Sequence, residues 1–316
     1  MIEHLPLPLA GKIGWPWTEE SEILPPFQEN RKHWPRISIV TPSFNQGQYL
    51  EETIRSVLLQ NYPNLEYLVI DGGSTDDSVE ILRKYERWIT FWISEKDNGQ
   101  SEAINKGFRR CTGDLVNWIC SDDMLYRNAL FNMAPYFTTS NRTLFIGKGI
   151  RIDQNGNFIN EVFPSTIGDF ISLVSIGKFW RRNNSIMQQS CFYPLSEIIN
   201  GNFLNEKNHL TMDYELWGKL IKSGISVMRC DFHIGIFRWY AGQKTSGLNS
   251  VTNSLIYTAI SLIAGNADIS QFLRFKLTLK VLGYYMIYQY YRFRSFLGVK
   301  RRIKAFIHGG SDTVHK

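Results

Sequence analysis

From Arg36 to Ile119 the chain alternates short apolar runs with amphipathic ones, and this alternation limits its fold more than any other feature. Ile37–Thr41 is a β-branched run ended by Pro42, and Leu65–Ile70, Ile89–Ile93 and Leu115–Ile119 are of the same type. Between them, Gln48–Gln60 carries Leu50, Ile54, Val57 and Leu58 at helical spacing. Asp76–Tyr85 follows Ser74 and Thr75, either of which can cap a helix, and Ser101–Arg110 supplies a third. The order β-α-β-α-β-α-β predicts an α/β fold, a mostly parallel sheet flanked by helices. Such sheets bind ligands at the C-terminal ends of their strands.

Those ends carry one kind of chemistry. Successive strands run into Thr41-Pro42-Ser43-Phe44-Asn45, Asp71-Gly72-Gly73-Ser74-Thr75-Asp76, Ser94-Glu95-Lys96-Asp97-Asn98-Gly99-Gln100 and Ser121-Asp122-Asp123. In a parallel sheet all of them line one crevice. Two adjacent carboxylates behind a buried strand are costly unless a cation neutralises them. Hard oxygen ligands on a loop suit Mg²⁺ or Mn²⁺, which bridge to substrate phosphates. Taken alone, Asp-Asp is commonly a solvated turn, and so is Asp-Gly-Gly; their convergence points to a nucleotide-diphosphate crevice. No Gly-x-Gly-x-x-Gly and no P-loop Gly-Lys-Ser/Thr occurs there, which argues against a dinucleotide dehydrogenase or an NTPase.

At 316 residues, 43% hydrophobic and 20% charged, the chain is expected to be globular with a sizeable core. Cys111, Cys120, Cys191 and Cys230 lack metal-type spacing and read as reduced, small apolar residues of a cytoplasmic protein. Met1–Ala10 contains Glu3, His4, Pro6 and Pro8 and does not read as a signal peptide. Beyond Asp123, Asn141–Val162 reads as a hairpin around Asn155-Gly156, Thr211–Ser223 as a helix ended by Gly224, Ile225–Arg229 and His233–Trp239 as strands, and the chain from Val251 as helices. The expected organisation is an extended arm over 1–35, a main domain over 36–246 divided at 123/124, and a basic, aromatic helical extension over 247–316. The net charge of +6 is uneven: residues 271–308 hold nine Lys/Arg and no acid, so +9 sits there and −3 on the rest. That segment suits an anionic membrane surface, or a helical cap with a solvated basic face, and carries no nucleic-acid motif. No segment reaches the roughly 18–20 apolar residues needed to span a bilayer.

In its ordered motifs the sequence resembles the inverting family-2 glycosyltransferases of the GT-A fold. The matching residues are Thr41–Asn45 with Tyr49-Leu50, Gln60-Asn61-Tyr62-Pro63, Val69–Asp76, Ser94–Gln100, Ala103-Ile104-Asn105-Lys106-Gly107, Thr112-Gly113-Asp114 and Ser121-Asp122-Asp123. The resemblance implies a nucleotide-sugar transferase, with Thr41, Ser43 and Asp71 holding base and ribose. Pro42, Asn45, Tyr49, Gly72, Ser74, Gly99, Gln100 and Ser121 fall in the same donor-binding motifs. Asp97 and the Ala103, Asn105 and Lys106 segment would face ribose, diphosphate and donor sugar. Asp123 would bind Mn²⁺ or Mg²⁺, and Asp122 ribose or a metal-bound water.

Met212-Asp213-Tyr214-Glu215-Leu216-Trp217 resembles the segment that supplies the general base, which makes Asp213 the catalytic candidate and Glu215 the second choice. Met212 stands where relatives carry an acid; beside a carboxylate it would raise the pKa by desolvation. Gln188 and Gln189, with Glu215 and Trp217, are the expected contacts to donor sugar or acceptor, and Arg238 and Lys244 to the diphosphate. Tyr240 stands where relatives carry a metal-ligating His, and Gly235 where processive synthases carry Gln, so one sugar per encounter is expected. The reading is an inverting, metal-dependent, hexosyltransferase-type enzyme. It would move a sugar from a nucleotide-diphosphate donor, expected to be a UDP-sugar, to a hydroxyl acceptor in surface polysaccharide or glycolipid assembly. Its expected place is cytoplasmic, peripheral on the inner face of the cell membrane. The alternatives are a nucleotidyltransferase and a silent nucleotide-sugar-binding scaffold.

Overall fold

A computed structural model describes residues 5–8, 10–28, 33–138, 142–165, 169–175, 186–246 and 248–308, the side chains of 248, 249 and 291–308 excepted. The start of the Asn141 hairpin, part of Met1–Ala10, and the side chains of Arg292, Arg294, Lys300, Arg301, Arg302 and Lys304 lie outside the described residues.

The alternating first half forms as its periodicity requires. Strands β1 (Ile37–Ser43), β2 (Leu65–Asp71), β3 (Phe91–Ser94) and β4 (Leu115–Trp118) are separated by helices α1 (Gly47–Leu58), α2 (Ser78–Tyr85) and α3 (Gln100–Arg110). β1 pairs in parallel with β2 and β4, and β2 in parallel with β3. Every residue of β1 is buried, because helices cover both faces of the strand. Side-chain alternation sends Ile37 and Ile39 to one core and Val40 to the other. Leu50, Ile54, Val57 and Leu58 of α1 pack into the first of these cores, each burial contributing about 1.5–3 kcal/mol. Asp76, in the loop after β2, accepts a hydrogen bond from Gly47 N (2.8 Å) and so ties the start of α1 to that loop.

The second half extends the same sheet with mixed pairing. Its elements are β5 (Met124–Leu125), α4 (Ala129–Met133), β6 (Thr143–Ile152), β7 (Phe158–Val162), α5 (Phe170–Val174), β8 (Cys191–Pro194), α6 (Leu195–Ile199), α7 (Met212–Lys222) and β9 (Ser226–Arg238). The strand order is β3-β2-β1-β4-β8-β6-β9-β5, with β7 paired to β6. The hairpin around Asn155-Gly156 forms as β6 and β7. The two strands expected at 225–229 and 233–239 are one: β9 runs through both and shifts register against β6 between Arg229 and His233. A bulge of this kind breaks the alternation that marks a single strand in sequence. Gln188–Ser190 form a 3₁₀ turn, and β8 begins directly after it at Cys191.

Helices α8 (Leu248–Ala264) and α9 (Gln271–His308) follow, and α8 packs on α7 through Leu255, Ile256, Ala259 and Ile263. No helix among the described residues is long and apolar enough to cross a membrane. The N-terminal arm is held by a buried cation. Arg55 donates to the carbonyls of Pro6 (2.8 Å), Pro16 (3.0 Å) and Trp17 (2.8 Å), and Trp15 Nε1 donates to Leu125 O (3.0 Å).

Candidate active site

A cavity of about 640 Å³ opens at the C-terminal ends of the parallel strands. The strand ends contribute Pro42, Ser43, Gly72, Asp97, Gly99, Gln100, Ser121, Asp122 and Asp123 to its wall, and α3 contributes Ala103. Gln188, Gln189, Met212, Asp213 and Lys244 enclose it from the second half. Two glycines let the backbone come this close. A Cβ on Gly72 would sit 2.9 Å from Asp97 Oδ2, and Gly73 has φ +82°, a left-handed turn that side chains rarely adopt.

The acid loop is fixed from three directions. Asp123 N donates to Cys120 O (2.9 Å), which closes a turn directly after β4. Thr53 Oγ1 on α1 lies 2.9 Å from Ser121 O and 2.7 Å from Asp123 O. From β9, Arg238 N donates to Asp123 Oδ1 (3.0 Å), and the Gln189 side-chain amide donates to Asp123 Oδ2. Asp122 Oδ2 accepts from the Tyr240 hydroxyl (2.9 Å).

This arrangement stores electrostatic cost. Burial raises both carboxyls above their ordinary value, and the neighbouring Asp122 charge pushes Asp123 further, well above it. A divalent cation reverses that cost. The Cys120 thiol and the two carboxylates each place a ligating atom within 4.8 Å of the others. Ser43 Oγ, Gln46 Oε1 and Gln243 Oε1 are buried on residues of the cavity wall and have no hydrogen-bond partner among the described residues. Carboxylate oxygens beside unsatisfied polar groups fit a metal with a polar ligand.

Asp213 occupies the first turn of α7, and its Oδ1 accepts from Tyr214 N (2.7 Å). Burial pushes its pKa up to about 6; hydrogen bonds from backbone N–H groups and the Lys244 charge oppose the shift. Met212 is buried beside it on the same wall. Lys244 is itself held below its ordinary value by burial, and its Nζ lies 3.1 Å from Gln100 Oε1. Asp97 is raised by burial, with Gly99 N donating to its Oδ1 (2.8 Å).

Several expected contacts do not line the cavity. Asp71 is fully buried and accepts from Gly73 N, Ser74 N, Ser74 Oγ and Ser94 Oγ, so it builds the turn under the donor motif. Thr41 is bonded to the Tyr67 hydroxyl, and Asn45 accepts from Thr75 N through its side chain. Asn105 reaches Leu204 O and Glu206, and Lys106 pairs with Glu95 and Glu102. Arg238 turns inward to Glu52 (2.7 Å), with its guanidinium over the Tyr49 ring. Trp217 donates to the Tyr193 hydroxyl inside the core. Glu215 is opposed by burial, yet hydrogen bonds from Asn208, Lys219 and Asn205 hold it below its ordinary value. Of the two base candidates, Asp213 is the one on the cavity wall.

Sequence reasoning missed Gln46, Cys120, His209, Phe237 and Gln243 on that wall. Cys120 reads as a core residue because it continues an apolar strand. Its position one residue before Ser121-Asp122-Asp123 was the available signal.

The model of glycosyl transferase family 2 matches residues 38–210, just over half of the chain. The putative teichuronic acid biosynthesis glycosyltransferase TuaG of Bacillus subtilis is 36% identical over 153 residues, 45% of this chain and 60% of TuaG. An uncharacterized glycosyltransferase of Haemophilus influenzae is 30% identical over 148 residues, 46% of this chain and 59% of its own. The chain spans less than two thirds of the length of these curated relatives. Among solved structures, S. aureus TarS 1–349 in complex with UDP-GlcNAc aligns with a TM-score of 0.61 at 15% identity, over 78% of this chain and 71% of that one. The mannosyltransferase PcManGT of Pyrobaculum calidifontis, in complex with GDP-Man and Mn²⁺, aligns at 0.53 and 16%, over 84% and 73%. At such identities the likeness is one of fold, and the fold is GT-A.

Proposed function

The chain belongs to glycosyl transferase family 2, and from that premise we propose that it transfers a sugar, with inversion, from a nucleotide-diphosphate donor, a UDP-sugar by preference, to a hydroxyl acceptor. The observation that carries this reading is one cavity lined both by the Asp122–Asp123 carboxylate pair and by Asp213, whose pKa is pushed up to about 6. Two sets of acids with separate environments divide the labour.

Asp122 and Asp123, with the Cys120 thiol at hand, would hold Mn²⁺ or Mg²⁺. When bound, the ion supplies Lewis-acid stabilisation of the diphosphate. The buried Ser43 hydroxyl and the Gln46 and Gln243 amides offer hydrogen bonds to the nucleotide. Asp213 accepts the acceptor hydroxyl's proton as that oxygen forms its bond to the anomeric carbon. The bond from that carbon to the diphosphate oxygen breaks, and its electron pair leaves with the diphosphate. Lys244, with its Nζ beside Gln100 Oε1, adds a positive charge on the same wall.

The acceptor class follows from chemistry outside the cavity. A basic C-terminal segment and one relative named for teichuronic acid biosynthesis both favour an acceptor in surface polysaccharide or glycolipid assembly at an anionic membrane face. Calorimetric titration of UDP, with GDP and dTDP as comparators, in Mn²⁺ and then in EDTA tests the reading. Binding of one nucleotide that collapses in EDTA is expected. Absence of nucleotide binding in both conditions would overturn it in favour of a silent scaffold.

A further inference from the structure

The transfer chemistry leaves the outer face of α9 unused. Its inner face is committed: Leu277 and Val281 are buried in the core, and Leu273, Tyr284 and Tyr285 pack against it. On the other side, Phe272, Phe275, Leu279, Leu282 and Met286 follow one another at steps of three and four, which keeps them on one face. Exposure of these side chains runs from 38% at Leu282 to 75% at Phe272. Ile287, 56% exposed, widens the stripe. From Phe272 to Met286 it is about 21 Å long at 1.5 Å per residue. A continuous apolar stripe of this length marks an interaction surface.

Charge identifies the occupant. Lys276 and Lys280 are exposed and each follow a stripe residue by one position, about 100° further round the helix. They border the stripe along one edge. Arg274 is withdrawn from it, its Nε donating to Ile269 O. No acid occurs anywhere from 271 to 308. The three-four spacing is also that of a coiled coil, but a second copy would set lysine against lysine with no carboxylate to pair them. An anionic bilayer satisfies both features, taking the apolar stripe at its acyl boundary and the lysines among its headgroups.

We propose that the outer face of α9 docks flat on an anionic phospholipid bilayer, with Phe272, Phe275, Leu279 and Met286 in the interface and Lys276 and Lys280 on the lipid phosphates. This deepens the proposed use of an acceptor at a membrane face and rests on that reading for its purpose, though not for its test. No helix among the described residues is long and apolar enough to cross a bilayer, and the contact proposed is a peripheral one.

The full chain is sedimented with vesicles of phosphatidylcholine alone and of phosphatidylcholine mixed with phosphatidylglycerol, and UDP titration is run on the same preparation. Binding to the mixed vesicles only is expected. Phe272→Ser combined with Phe275→Ser should lower vesicle affinity by at least roughly tenfold, and Lys276→Gln combined with Lys280→Gln by about fivefold per lysine. All four side chains are exposed, so UDP affinity should be unchanged in both variants. Wild-type chain that leaves mixed vesicles unbound, or variants that bind them as the wild type does, would overturn the proposal. So would a vesicle-free dimer that the Phe272→Ser, Phe275→Ser variant dissolves, which would make a second copy the occupant. Vesicle binding without UDP binding would keep the docking surface and overturn the transferase reading.

Discussion

Replacing Asp213 with Asn should destroy transfer and strengthen the fold. Asp213 is half-buried at the start of α7, and desolvation there lifts its pKa from the ordinary carboxylate range to about 6. The sign follows from linkage. Below about pH 4 the carboxyl is protonated in both folded and unfolded chains and carries no penalty. As pH rises towards 6, the unfolded chain releases its proton more readily, so folding stability falls. Above 6 the loss is complete. A shift of about two units is worth about 3 kcal/mol at 1.36 kcal/mol per unit, an upper figure because the side chain is only partly enclosed. Asp213→Asn cannot ionise and escapes this loss. Its denaturation midpoint in urea should match the wild type near pH 4 and exceed it at pH 7. Turnover with the cognate donor should fall by about 10²–10⁴-fold, the span of general-base catalysis, and the wild-type rate should rise through an inflection near pH 6. A variant that keeps turnover within tenfold of wild type would refute Asp213 as base. One that gains no stability between pH 4 and 7 would refute the desolvated carboxylate.

Substitutions at three other positions probe the supports. Gln189→Met removes the amide that donates to Asp123 Oδ2 and should weaken Mn²⁺ binding about tenfold, read by calorimetry in the absence of donor. Tyr240→Phe loses the hydrogen bonds to Asp122 and Gln46. It should lower Mn²⁺-dependent UDP affinity severalfold; Tyr240→His, which offers a ring nitrogen, should recover it, and equal affinities in all three proteins would exclude a role for the phenol. Arg55→Ala leaves the carbonyls of Pro6, Pro16 and Trp17 without their donor and should cost about 3 kcal/mol or more in urea denaturation, with earlier protease cleavage in the N-terminal arm.

Periodicity is a local property, and what depends on it was readable before folding. The alternation from Ile37 to Trp118 became β1 to β4 and α1 to α3 within a few residues of the expected ends. Asp122 and Asp123 had to stand at a strand end, and Asp213 at a helix start, because each follows directly from its neighbours in the chain. The bulge in β9 was not readable as one strand, since extra residues break the period that identifies it.

Contacts between distant segments were decided only by packing. The insertion of β8 between β4 and β6, and the parallel pairing of β6 with β9, depend on how two halves of the chain bury their apolar faces together. That closure turns Asp71 and Arg238 inward, where a hydrogen-bonded turn and Glu52 give them partners. It also brings Tyr240 onto Asp122 and Gln189 onto Asp123, across more than sixty positions of sequence. Which residues could do chemistry was legible before folding, because strand ends, charge and residue type are written locally. Which of them face the cavity depends on packing, because a side chain's direction is set by whatever buries the backbone behind it.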